Sequence, residues 1–126
     1  MKAKGVLHAE LSALIAAMGH GDLIVIGDAG LPVPPGVPCI DLAVSAGVPQ
    51  MFQVLDAVLQ DLVVERATIA TEVGADLGAA FLSRLPKAEA VPHEEFKRLS
   101  RDARAVVRSG EFTPYANVAL WAGVPF

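Results

Sequence analysis

Three histidines, a scatter of carboxylates and a single tyrosine are the groups in this chain equipped to move a proton. His20 stands between Gly19 and Gly21, just past an apolar-periodic segment, with Asp22 following. That position reads as the C-terminal end of a helix, where the negative dipole end and a nearby carboxylate favour the imidazolium. A histidine held partly cationic near neutral pH is a competent proton donor. The alternative is a capping ring that only bonds the terminal carbonyls. His93 follows Pro92 and opens another helical pattern. There the positive dipole end favours a neutral ring able to accept a hydrogen bond, or the residue serves simply as the N-cap. Two rings with opposed preferences on one cavity would give a proton to one substrate oxygen and take one from another. His8, at the start of the first helix, reads as a capping or solvent-facing residue with no chemical role.

Asp28 closes an apolar run and precedes Ala29-Gly30. A carboxylate there can accept hydrogen bonds from sugar-like hydroxyls, or order the Gly30 loop as an Asx turn. Tyr115 and Asn117 lie in Gly110-Glu111-Phe112-Thr113-Pro114-Tyr115-Ala116-Asn117. Tyrosine offers an apolar face with a polar tip, and asparagine both donors and acceptors, on a loop where binding groups concentrate. A plain turn is the alternative.

The elements that must position these groups follow from pattern. Leu11, Leu14, Ile15 and Met18 share a helical face over about His8 to Met18, and Gly19 ends it. Leu23–Gly27 is a buried strand with polar residues at both ends, where α/β proteins build sites. Four prolines between Leu31 and Pro38 exclude helix and central strand and make a stiff wall. Cys39–Ala43 reads as a strand, followed by a helix lined by Met51, Leu55, Val58, Leu59 and Leu62. Val63–Thr71 is β-branched and strand-like, Asp76–Leu85 helical, and Glu89–Val91 a short strand. The spacing then predicts a helix over His93–Asp102, a strand over Ala103–Val107, a loop over Gly110–Tyr115 and a strand over Asn117–Trp121, whose Trp121 reads as core or subunit interface. This alternation implies one α/β domain over residues 1–126, a three-layer α/β/α sandwich around a central, mostly parallel sheet.

Bulk properties narrow the function. The chain has 126 residues, 53% of them hydrophobic, 19% charged, and a formal net charge of −4. The acidic balance and the lack of a basic cluster argue against nucleic acid. No apolar window is long enough for a membrane span. A mean hydropathy of +0.48 is high for so small a domain, which implies apolar surface shared between subunits. Cys39 is alone, so neither a disulfide framework nor a thiolate metal site is available, and it reads as a small buried residue. Lys2 and Lys4 precede apolar residues, but His8, Glu10 and Ser12 interrupt them, so the chain reads as cytoplasmic. There is no phosphate loop, dinucleotide fingerprint, metal-binding His/Glu pattern or nucleophile elbow. The expectation is proton transfer without cofactor or metal, or plain binding of a polar ligand.

Four segments together resemble one family. Gly19-His20-Gly21-Asp22, Asp28 to Pro34, His93-Glu94-Glu95-Phe96-Lys97 and Gly110 to Asn117 are similar, in order, to motifs of the ribose pyranase and fucose mutarotase family. Ala122-Gly123-Val124 extends the likeness almost to the end, whereas Glu72–Val91 carries no signature. Asp28 to Pro34 and Pro114-Tyr115-Ala116-Asn117 resemble the ribose branch, and Gly21 departs from it toward the fucose branch. The resemblance implies interconversion of the pyranose and furanose forms of D-ribose, supplying a kinase that takes the furanose. It implies His20 as proton donor, with Asp28, His93, Tyr115, Ala116 and Asn117 as substrate-binding positions. It also implies a ring-shaped homo-oligomer, a decamer, with sites between neighbours. Fucose-type anomer interconversion and a non-catalytic sugar-binding accessory of ribose uptake are the competing readings.

Overall fold

The computed structural model describes residues 1–126. The apolar runs become six strands: β1 (Leu23–Gly27), β2 (Cys39–Asp41), β3 (Val64–Ala70), β4 (Glu89–Val91), β5 (Ala105–Arg108) and β6 (Val118–Ala122). They form one sheet in the order β2-β5-β1-β6-β3-β4. β1 and β2 each run parallel to β5, and β3 runs parallel to β4. Only β6 is reversed, pairing antiparallel with β1 and β3. The sheet is therefore mixed but mostly parallel.

Side chains alternate across this sheet, and each face buries a different helical layer. Ile24, Ile26, Val118 and Leu120 pack against α1 (Ala9–Ala17), α2 (Met51–Asp61) and α3 (Ala75–Arg84), which contribute Leu11, Leu55 and Phe81 among others. Leu23, Val25, Val106 and Ala119 pack on the other face against Phe96 of α4 (His93–Leu99). Helices on both faces make the three-layer α/β/α arrangement. No helix is long and apolar enough to cross a membrane.

Several sequence expectations shift at their edges. The helix foreseen to Asp102 stops at Leu99 and tightens into a 3₁₀ turn over Ser100–Asp102. Ala103 donates to the Ser100 carbonyl, so β5 begins only at Ala105. His8 does cap α1, its Nδ1 accepting from the Leu11 amide at 3.2 Å. Cys39 is exposed rather than buried. It lies on the edge strand β2, where Ile40 alone of the three residues faces the core. Partial burial and the Asp41 carboxylate push its thiol above the ordinary range, so little nucleophilic thiolate is present.

Gly110 marks where two loops touch. A Cβ there would lie 2.4 Å from the Val48 carbonyl oxygen and 2.7 Å from that of Ser45. Both are backbone atoms tied to the glycine, since Gly110 donates to the Pro49 carbonyl and accepts from the Gly47 amide, each at 2.7 Å. Gly110→Ala is thus expected to cost about 1–3 kcal/mol, the usual range for forced overpacking. The measurement is a chemical denaturation midpoint, and an unchanged midpoint would contradict the close approach.

Candidate functional site

The sequence turns at the carboxyl edge of the sheet in four separate places, after β1, β3 and β4 and between β5 and β6. Asp28 follows β1, Ser109 and Glu111 follow β5, Glu72 follows β3, His93 follows β4, and Asn117 enters the reversed β6. Crevices beyond the carboxyl ends of parallel strands are where open α/β sheets take ligands. Here the crevice is a cavity of about 530 Å³ whose polar lining comes from Asp28, His93, Glu111, Thr113 and Tyr115. Leu31, Pro32, Phe112 and Pro114 give it apolar walls. Few polar groups on an otherwise apolar wall orient a small polar guest.

Each polar side chain is fixed by short-range chemistry. The Asp28 carboxylate accepts from the Gly30 amide through Oδ1 at 2.8 Å, an Asx turn that holds the Gly30 loop. Its backbone amide donates to Asn117 Oδ1 at 2.7 Å, locking the end of β1 to the start of β6. His93 is the first residue of α4 and Pro92 its N-cap. The His93 amide donates to both oxygens of the Glu72 carboxylate, at 3.0 and 3.1 Å, which supplies the acceptor that a proline cap lacks. The imidazole stacks on Phe96 and meets Tyr115 edge-on, with ring centroids 5.0 Å apart. Tyr115 adopts φ 62°, the one non-glycine residue with positive φ.

The site residues foreseen from sequence therefore separate into three groups. Asp28, His93 and Tyr115 line one cavity. Ala116 and Asn117 are fully buried behind its wall, where Asn117 serves the backbone of Asp28. The buried His93 Nδ1 and Asn117 Nδ2 have no partner within the protein. His20 is elsewhere. It lies before β1, at the opposite edge of the sheet, and its Nε2 is 2.7 Å from Glu65 Oε2. The five residues of β1, at about 3.3 Å each, put on the order of 17 Å between that edge and Asp28.

The expected His20–Asp22 proximity also changes. The Asp22 carboxylate turns away to accept from the Gly19 amide at 2.9 Å and from Arg104 at 2.7 Å. α1 ends at Ala17, so His20 stands beyond the last turn rather than on it. Glu111 and Thr113 are lining residues that sequence reasoning gave no role. Nothing local to them announces a contact with the far-off start of α2.

Four carboxylates, three of them described above and the fourth Asp61 at the end of α2, share one electrostatic character. The Gly19 amide, with Arg104, holds Asp22 below the usual range, and the Val6 amide, with Lys2, does so for Asp61. The Thr71 hydroxyl and the His93 amide lower Glu72. Burial alone would raise Glu111, but donors from Met51 and Thr113 outweigh it and leave it lowered. A carboxylate with a depressed folded-state pKa stabilises above its unfolded value, and that contribution is lost as pH falls through the folded value. The denaturation midpoint is accordingly expected to be flat from neutrality to about pH 5 and to fall below about pH 4. A midpoint that rises on acidification would refute the assignment.

A layered α/β protein with a polar crevice at the carboxyl edge of its sheet has the architecture in which open α/β sheets take small ligands. The sequence profile of the RbsD / FucU transport protein family matches residues 1–125, and the chain belongs to that family. A D-ribose pyranase of Paracidovorax citrulli is 60% identical, with 100% of both chains covered. One from Variovorax paradoxus is 52% identical over the same full extent. The solved structure of Bacillus subtilis RbsD complexed with D-ribose superposes with a TM-score of 0.93 at 46% identity, covering 100% of each chain. A fucose mutarotase from Streptococcus pneumoniae, in complex with L-fucose, shares the fold with a TM-score of 0.84 at 23% identity and the same full coverage.

Proposed function

We propose that this chain is an isomerase that interconverts the pyranose and furanose forms of D-ribose. The observation that carries the reading is the convergence of Asp28, His93 and Tyr115, from three separated segments, on one cavity. That convergence occurs in a chain that superposes along its whole length on a relative solved with D-ribose. The ribose branch is favoured over the fucose branch by 60% identity to a D-ribose pyranase against 23% to the fucose mutarotase.

The chemistry asks little of the protein. A base takes the proton of the anomeric hydroxyl as an acid delivers one to the ring oxygen. The bond from the anomeric carbon to that oxygen breaks and an aldehyde forms. The chain rotates, and the hydroxyl of the fourth carbon attacks the aldehyde carbon, giving its proton to the group that acted as acid. The former base returns its proton to the aldehyde oxygen, which becomes the new anomeric hydroxyl; both groups end as they began. Ring size changes, no electrons are gained or lost, and no cofactor or metal enters the scheme. Positioned acid–base groups supply about 10²–10⁴-fold each. Asp28 or His93 serves as base, with Tyr115 and the Ala116-Asn117 segment holding the sugar.

His20 is the acid in this reading, and it acts on the cavity of a neighbouring copy. Its ring is exposed and already paired with Glu65, so it is presented outward, to a partner surface. A homo-oligomeric ring, a decamer in our reading, brings the two sheet edges together. Exposed Leu7, Val44 and Phe112 are the kind of apolar surface such contacts cover. The lone Cys39, without a disulfide, is consistent with a cytoplasmic setting.

The test is exchange NMR on D-ribose with and without the protein. Faster exchange between ring forms supports the isomerase; unchanged exchange with ribose bound would leave a sugar-binding accessory instead. Faster exchange on L-fucose than on ribose would favour the mutarotase branch.

A further inference from the structure

Glu111 ties the turn before β6 to the start of α2 and to the loop that follows β1. Its Oε1 accepts from the Met51 amide, at the start of α2, at 3.1 Å. Its Oε2 accepts from the Thr113 amide at 3.3 Å and from the Thr113 hydroxyl at 2.9 Å. Its backbone carbonyl accepts from the Ala29 amide at 2.8 Å, next to Asp28. Its own amide donates to Ser109 Oγ at 3.2 Å, and that hydroxyl donates to the Gly27 carbonyl at 2.7 Å. The Met51 and Thr113 amides can only donate, one to each oxygen, and the Thr113 hydroxyl is placed to donate as well, so an ionised carboxylate satisfies all three at once.

What this anchorage restrains is the turn that ends in Tyr115. A bulky L residue at φ 62° is disfavoured and persists only where its surroundings over-determine it. Phe112 and Tyr115 are both exposed, so packing supplies little of that restraint. The Asn117 amide holds the Tyr115 carbonyl at 2.9 Å on the far side of the turn. On the near side the Glu111 carboxylate grips Thr113, two residues before the tyrosine. Between those two fixings the phenol is set edge-on to His93.

We infer that Glu111 is a positioning residue: through Thr113 it fixes the Tyr115 turn against Asp28 and His93, and so sets how tightly the sugar is held. The inference rests on the ribose isomerase reading for its functional half. Its geometric half stands independently.

The test uses Glu111→Gln, which keeps the size and turns one acceptor into a donor facing other donors. In the wild type, the edge of Tyr115 near His93 gives the imidazole C–H protons a ring-current shift. In Glu111→Gln those His93 resonances are expected to move most of the way to their positions in Tyr115→Ala, with those of His8 unmoved. KM for D-ribose is expected to rise about tenfold, with kcat little changed. In the double variant with Tyr115→Ala, Glu111→Gln should add nothing further to KM, because it acts through the tyrosine. Should Glu111→Gln fail to fold, Thr113→Val removes the hydroxyl donor alone and is expected to shift His93 and KM in the same directions, by less. Unmoved His93 resonances in a folded variant, or additive effects on KM, overturn the inference. A wild type that leaves ribose exchange unchanged while the resonances still move would overturn the isomerase reading and leave the positioning role standing.

Discussion

Replacing His20 with alanine is expected to slow protein-catalysed exchange between the ring forms of D-ribose by about 10²–10⁴-fold, the range for loss of one positioned acid. Folding should be spared, because the ring is exposed and its single polar partner is the exposed Glu65. The arrangement makes a second outcome measurable. His20 and Asp28 lie at opposite ends of β1, so in the proposed ring one copy's acid would serve another copy's cavity. Mixing His20→Ala with Asp28→Ala subunits, unfolded and refolded together, should regenerate intact sites at some contacts and recover part of the activity. Neither variant should recover it alone. If His20→Ala retained the wild-type exchange rate, the acid would have to be sought among the residues of the cavity itself.

Phe96→Ala is expected to be the most damaging single change to stability near the site. Phe96 is fully buried, and it is the side chain by which α4 enters the smaller apolar cluster against Leu23, Val25 and Val106. Truncating a buried phenylalanine costs about 3–5 kcal/mol, through lost transfer energy and the cavity left behind. With a urea dependence of about 1–3 kcal/mol per molar, the midpoint should fall by roughly 2 M. The loss reaches the cavity as well. His93 precedes Phe96 by three residues on the same helix face and stacks on its ring, so KM for ribose should rise in whatever fraction remains folded. A midpoint within a few tenths of a molar of wild type would show that α4 is held by something other than this anchor.

How much of this was legible beforehand depended on distance along the chain. β1 was readable to the residue, because Leu23–Gly27 is an uninterrupted apolar run and all five residues are buried. β4 was also found, although Glu89–Val91 is only three residues long. The reversal of β6 left no trace in pattern, since a buried strand reads the same in either direction. The 3₁₀ turn at Ser100 reads as a continuation of the helix because a single turn has too few residues to reveal its period. Asp28 and Tyr115 were recognised as groups suited to a polar ligand, and His93 as a ring at a helix start. Their shared cavity is made by turns from three different crossovers. The cation partner of Asp22, Arg104, stands 82 positions away, beyond the reach of local pattern. The role of Glu111 is hidden for the same reason, since the Met51 amide it accepts from is 60 positions distant.

β1 is fully interior and hydrogen-bonded along both flanks by β5 and β6. In a closed ring it would behave as a fixed-length ruler between the proton source offered to one neighbour and the sugar pocket kept for the other. Adding or deleting a single residue within it would also swap every side chain to the wrong face. A change of length is expected to do least harm in the turn after α3, which holds none of the groups that fix the cavity.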